Sequence, residues 1–231
     1  MTLPKRTKAS PPRHGRWYGD ACGAAFAMEL LGERWALLIV RELMLGARRF
    51  TDLRASLPGI SARILTERLE GLEAAGILAR RQLPPPGKAQ VYELTAWGAA
   101  AEPLIQAAGR WAALSRAHDP TLPLSPVSLM LSLRAMVDRA GLGEVAGRIG
   151  FVIGEDRFVA TPEPGDLAIV RGDAEGADVV LAAPNASALA AGIYAGVPWA
   201  ELKRKAGVSI TGERALAQRF LALFRLPPPL A

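Results

Sequence analysis

The sequence predicts an α+β protein in two parts, and three observations carry that expectation. Apolar residues recur at helical spacing through most of the first half, whereas in the second half short β-prone runs bounded by Gly, Pro, Asp or Asn precede renewed helical patterning. Between the halves, His118–Pro126 (HDPTLPLSP) carries three prolines and reads as a linker. A chain of 231 residues accommodates two modest domains, here 17–117 and 127–231, after a tail at 1–16.

Beyond the tail, Ala21–Leu31 and Glu33–Leu45 read as helices separated by Gly32, the second with a stripe of Trp35, Leu38, Ile39, Leu43 and Leu45. Gly46 closes that helix, and Thr51–Leu57 forms a short one ending at Pro58-Gly59. Ser61 then caps Ala62–Ala75, which turns Leu65, Leu69 and Leu72 inward and Arg63, Thr66, Glu67 and Glu70 outward. Ile77–Leu83 and Gln90–Leu94 make a hairpin whose tip is Pro84-Pro85-Pro86-Gly87-Lys88. Thr95 caps a helix through Trp111 to about Ser115, bent or broken at Pro103. In the second part a helix at Val127–Ala140 leads into strands at Gly147–Ile153, Arg157–Thr161, Leu167–Gly172 and Asp178–Ala182. Helices at Ala188–Tyr194, Pro198–Lys205 and Glu213–Leu226 follow, with a strand at Val208–Thr211 before the last.

Composition narrows the function classes. Half the residues are apolar and 22% are charged, which excludes wholesale disorder and fibrous architectures. The longest apolar runs, such as Ala24–Met28 and Trp35–Val40, fall far short of the ~18 residues that cross a bilayer, and no cleavable apolar segment follows the basic N-terminus. A cytoplasmic protein without membrane association is expected. Cys22 is the only cysteine and His14 and His118 the only histidines, so neither a disulfide framework nor a Cys/His zinc site is expected, and no cofactor is implied. Nucleophile-elbow, phosphate-loop and dinucleotide fingerprints are missing, which argues against an enzyme.

The net charge of +6 lies wholly in residues 1–120, which hold 17 Lys and Arg against 11 Asp and Glu; residues 121–231 hold 11 of each. Five positives, Lys5, Arg6, Lys8, Arg13 and Arg16, fall in the first sixteen residues without an acid. Such an arm suits DNA phosphate, because releasing condensed counterions favours binding; the alternative is a solvated tail.

Helix, tight turn, helix and basic-tipped hairpin is the order of a winged helix-turn-helix, whose second helix enters the DNA major groove. Arg63 suits guanine O6/N7, Thr66 a base edge or phosphate, and Ser61 a phosphate held on the helix N-terminus. Arg48, Arg49, Thr51 and Arg54 stand where they grip the backbone. Lys88 at the hairpin tip, supported by Arg80 and Arg81, is placed for a minor groove or phosphate. For each cation alone a solvated surface charge is the competing explanation; four segments offering positive charge around one helix give the group its weight.

Several of these segments resemble the HxlR-type branch of bacterial winged-helix regulators, related to the MarR type. The likeness covers about residues 21–115 and rests on Gly32-Glu33-Arg34-Trp35, Arg48-Arg49-Phe50-Thr51-Asp52-Leu53, Leu57–Ser61 (LPGIS), Leu69–Gly76 (LEGLEAAG) and VYELTAWG, in that order. It implies a homodimer on double-stranded DNA with a palindromic operator, the first helix and the Thr95–Ser115 helix with Trp111 being buried between subunits or, for the latter, against the second domain. Cys22 matches the position where some members carry a redox-sensing cysteine; the competing reading is a small buried hydrophobe at a helix start.

Residues 178–226 resemble the C-terminal part of the sterol-carrier-protein type domain. The resemblance implies an apolar tunnel, with Ala188, Leu189, Ile193, Trp199, Leu202, Phe220 and Phe224 as candidate lining and a small hydrophobic effector as ligand. Each of these residues equally suits ordinary core, and the domain equally suits a dimerisation module or a carrier fold without its tunnel. Two functions follow: a dimeric DNA-binding regulator, in the repressor sense, answering to an apolar ligand or to thiol oxidation, or a hydrophobic-ligand carrier with an ancillary DNA-binding domain.

Overall fold

The computed structural model describes residues 18–84 and 88–230. The basic arm at 1–16, with His14 and Arg16, and positions 85–87 of the hairpin tip lie outside the described residues. The chain divides into two compact units between Ala101 and Glu102.

The first unit begins with α1 (Gly23–Leu31) and α2 (Ala36–Leu43). Sequence periodicity predicts a helix from Glu33, but Glu33–Trp35 form a turn instead. Trp35, the residue before α2, has a left-handed backbone with φ of 80°, a conformation disfavoured for any residue with a Cβ. After α3 (Phe50–Ser56), Ser61 opens α4 (Ala62–Ala74) as expected: its Oγ accepts from the Ile64 N–H at 3.2 Å. Strands β1 (Leu78–Gln82) and β2 (Gln90–Leu94) pair antiparallel, with Leu78 opposite Leu94 and Gln82 opposite Gln90. Arg48 bridges to the other side of β2, exchanging both backbone hydrogen bonds with Tyr92 at 2.9 and 2.8 Å, which ties the approach to α3 to the hairpin.

The core of this unit is continuous across its elements. Ile39, Val40 and Leu43 of α2, Leu53 of α3, and Leu65, Leu69 and Leu72 of α4 are buried with Ile77, Leu78 and Val91 of the hairpin region. Leu65, Leu69 and Leu72 share one face of α4 because residues three and four apart lie one above another. Helix α1 differs from the rest: GAAFAMELL is almost wholly apolar, yet none of its residues is buried.

The helix predicted from Thr95 to Ser115 is split. Short α5 (Ala96–Ala99) closes the first unit, and α6 (Glu102–Ala113) opens the second, with Pro103 in the first turn of α6, where a missing N–H removes no intrahelical bond. Arg134 fixes α6 within the second unit, donating to Glu102 Oε1 at 2.6 Å and to the Ile169 carbonyl. The compact units therefore divide before the proline-rich segment at 118–126, whose last residue, Pro126, instead begins α7 (Pro126–Met136) beneath the cap of Ser125.

The second unit carries a five-stranded sheet in the order β5-β4-β3-β6-β7. Its strands are β3 (Ile149–Ile153), β4 (Asp156–Glu163), β5 (Asp166–Arg171), β6 (Val179–Ala183) and β7 (Ser209–Gly212). All neighbours are antiparallel except β3 and β6, which run parallel with Phe151 opposite Leu181. Helices α8 (Ala186–Tyr194) and α9 (Trp199–Ala206) join β6 to β7, and α10 (Arg214–Leu221) follows. Phe151 of β3 meets Phe220 of α10 at 6.2 Å between ring centroids, and Phe220 meets Phe224 at 4.9 Å, which places the aromatic core between sheet and helix. The sheet face bearing Gly150 is covered closely by Ala174 and Ala177: an added Cβ would come within 2.6 Å of Ala174 Cβ.

Candidate nucleic-acid interface

Helix α4 presents the face that its spacing predicts. Ser61, Arg63, Thr66 and Glu70 are exposed, while Glu67 is half-buried. Ser61 Oγ accepts the capping bond and keeps its own O–H as a donor, so an anion here can meet that hydroxyl together with the free N–H groups of the first turn. Arg49, Thr51 and Arg54 are exposed on α3 and its approach. Asp52 turns back to accept from the Arg49 N–H at 3.3 Å, so its carboxylate is engaged in capping α3. Arg48 is half-buried, fixed at its backbone by Tyr92 and directed by a 3.4 Å guanidinium contact to Ser56 Oγ.

The hairpin cations differ from one another. Arg80 pairs with Glu73 of α4 at 2.6 Å, a hydrogen-bonded contact that raises its pKa, and Arg81 pairs across the strands with Glu93 at 3.0 Å. Their charge is therefore largely balanced locally. Lys88 is exposed at the end of the turn, with a positive φ of 36°. Among the described residues, Arg49, Arg54, Arg63 and Lys88 take part in no ion pair, so α3 with its approach, α4 and the end of the hairpin each offer an unpaired cation, as does Arg34 in the turn before α2.

Arg68, which sequence reading leaves out, shapes this surface from behind. From the middle of α4 it reaches the turn before α2, donating to Glu33 Oε2 at 2.9 Å and to the Arg34 carbonyl at 3.3 Å, and it pairs with Glu67 at 3.1 Å. No local pattern marks such a residue, because its partners lie 34 and 35 positions away.

Cys22 is exposed at the N-cap of α1, which removes the reading of a buried small hydrophobe. Backbone N–H groups, foremost that of Ala25 and then that of Ala24, stabilise the thiolate and lower the thiol pKa below its ordinary value. In the second unit, Ala188, Leu189, Ile193, Leu202, Phe220 and Phe224 are buried side chains of the core. Of the residues expected to line a tunnel, Trp199 alone borders the open cleft of about 370 Å³ that Ala200, Lys203, Val208, Ile210 and Arg214 also line. Among the described residues no cluster of His, Cys, Asp and Glu is arranged to hold a metal, and no helix is long and apolar enough to cross a membrane.

Residues 30–119 match the HxlR-like helix-turn-helix family. The HTH-type transcriptional regulator YvaP of Bacillus subtilis is 38% identical over 86 residues, which are 37% of this chain and 80% of that protein. YodB of the same organism, also an HTH-type transcriptional regulator, is 40% identical over 37% of this chain and 77% of its own length. The solved reduced form of YodB covers 42% of this chain and 98% of that one, at 36% identity and a TM-score of 0.39. Both relatives are HTH-type transcriptional regulators, and residues 120–231 fall outside the family match. The chain belongs to the HxlR-like helix-turn-helix family and is a transcriptional regulator of that type.

Proposed function

We propose that the protein is a homodimeric, sequence-specific repressor that reads a palindromic operator with α4 and loosens its hold when a small apolar ligand binds or Cys22 is oxidised. The observation that carries this reading is the capped α4 helix, with Arg63 and Thr66 exposed and the uncompensated charges of Arg49, Arg54 and Lys88 on flanking elements. In this assignment Arg63 and Thr66 contact base edges, while Arg48, Arg49, Thr51, Arg54 and Lys88 hold phosphates, with Arg80 and Arg81 lending weaker support.

Dimerisation is supported by apolar surface in each unit: Phe26 and Met28 on α1, and Leu104 and Trp111 on α6, are exposed large side chains, with Trp111 at 76%. The Trp199 cleft supports the effector reading, and the exposed, acidified thiol of Cys22 supports the redox one. Either signal acts only by favouring one of two dimer geometries, with typical couplings of about 1–3 kcal/mol, or roughly 5–150-fold in operator affinity.

Selection from a random duplex pool tests the reading. The expected winner is an inverted repeat with half-sites about one helical turn, or a multiple, apart. A pool that shows no enriched sequence after repeated rounds contradicts it, and copurifying lipid in that case favours the carrier function.

A further inference from the structure

We infer that Arg68 is a positioning residue for DNA reading, through which the Glu33–Trp35 turn sets the orientation of α4. The inference rests on the assignment of α4 as the reading helix and adds to it a residue that touches no base. Arg68 binds that turn to the middle of α4, holding Glu33 Oε2 at 2.9 Å and the Arg34 carbonyl at 3.3 Å. Because the two bonds engage successive residues of the turn from one planar guanidinium, they fix the rotation of α4 against the turn as well as its position.

The side chain of Arg68 is 15% exposed, set back from the surface that Arg63 and Thr66 offer. Its guanidinium has three engaged partners, because Glu67 Oε1 lies 3.1 Å away. Trp35 reaches its place only with a left-handed backbone, a strain that surrounding contacts must hold in place. Arg34 stacks its guanidinium 5.4 Å from the centroid of the Trp35 ring. A planar fork that meets a carboxylate and a carbonyl at once suits Arg and not Lys, whose ammonium is a point charge.

Electrostatics and positioning predict opposite signs for one substitution, which makes the inference testable. Glu33→Gln removes a negative charge from a DNA-binding unit, so charge alone predicts tighter binding to every duplex. Positioning predicts weaker binding to the selected operator, by about fivefold to tenfold as expected for a lost network contact, with affinity for a scrambled duplex no lower. Arg68→Met should lower the operator-to-scrambled ratio by a similar factor, Arg68→Lys should restore only part of it, and the double variant should lose no more than Arg68→Met alone. The salt slope on operator DNA should stay at its wild-type value in Arg68→Met, since no phosphate contact is removed.

Fluorescence anisotropy on the full chain, with thermal unfolding of each variant as the folding control, supplies these numbers. Tighter operator binding by Glu33→Gln, or a slope reduced by about one in Arg68→Met, would overturn the positioning role and make Arg68 a phosphate contact. Glu33 is 46% exposed in its side chain, so its substitution tests the inference without opening the core. Wild-type protein that fails to prefer the operator refutes the DNA reading itself, a different result from variants that keep a wild-type preference.

Discussion

Ser61 separates stability from DNA binding at a single position. Its Oγ accepts from the Ile64 N–H at 3.2 Å, with φ and ψ of −79° and 154°, so Ser61→Ala removes one N-cap hydrogen bond and costs about 1 kcal/mol. For a unit of about 100 residues, that loss lowers Tm by roughly 4–8 °C. Ser61→Asp keeps a capping oxygen and adds a carboxylate at the positive end of the helix dipole, worth about 0.3–1 kcal/mol, so its Tm should equal or exceed wild type. Binding follows the opposite order. Alanine removes one hydroxyl donor but leaves the free N–H groups of the first turn in place, so operator affinity per folded molecule should fall far less than with aspartate. Aspartate sets a negative charge against the phosphate proposed to lie there; like charges in contact cost several kcal/mol, which is about a hundredfold or more in affinity. Calorimetry and anisotropy on the two variants supply the four numbers. Ser61→Asp protein that binds operator as tightly as wild type would remove the phosphate from the α4 N-terminus and refute the assignment.

Four further outcomes are expected. Arg63→Ala should relax preference at one base pair and cost about 1–3 kcal/mol, read from affinities for single-base operator variants. Lys88→Ala should weaken binding to operator and scrambled duplexes alike and reduce the salt slope by about one, whereas an unchanged slope would take the hairpin tip off the DNA. Gly98→Ala should destabilise the first unit by about 1–3 kcal/mol in denaturant unfolding, since its Cβ would fall 2.0 Å from the Ile77 carbonyl oxygen. For Cys22, hydrogen bonds to the thiolate lower the folded pKa, so the ionised form stabilises the fold above the unfolded value of about 8.5 and that contribution fades as pH falls through the folded pKa. Alkylation by iodoacetamide should accordingly rise at lower pH in folded than in denatured protein, and coincident profiles would contradict it.

Local chemistry made much of the first unit legible. Ser61 before an apolar-periodic stretch predicts a capped helix, and the leucines at 65, 69 and 72 fix which face turns outward; both are found. Pro103 signals a broken helix, and the structure splits just before it, at residues 100–101, so that the proline falls in the first turn of α6. Tertiary contacts decided what the sequence could not. The bond from Arg134 to Glu102 assigns α6 to the second unit, and Glu73 and Glu93 draw Arg80 and Arg81 away from a free role. Trp35 adopts a backbone that its own propensity opposes, so periodicity alone extends α2 too far toward the N-terminus. In the second unit the strands are found within one or two residues, but the parallel pairing of β3 with β6 joins segments separated by two other strands, which strand patterning does not specify. Of the residues expected to line a tunnel, all but Trp199 are buried, and neither helical apolar spacing nor burial distinguishes a cavity wall from packing.

The central claim is selective DNA recognition through α4, and the measurement that tests it most directly is anisotropy binding to the duplex upstream of the protein's own gene. A scrambled duplex of equal length serves as the reference, and each is titrated at several salt concentrations. The account predicts tighter binding to the upstream duplex by roughly a thousandfold or more at physiological salt, with a steep salt dependence on both. Equal affinity for the two duplexes, together with failure of the random pool to yield a preferred site, would contradict it.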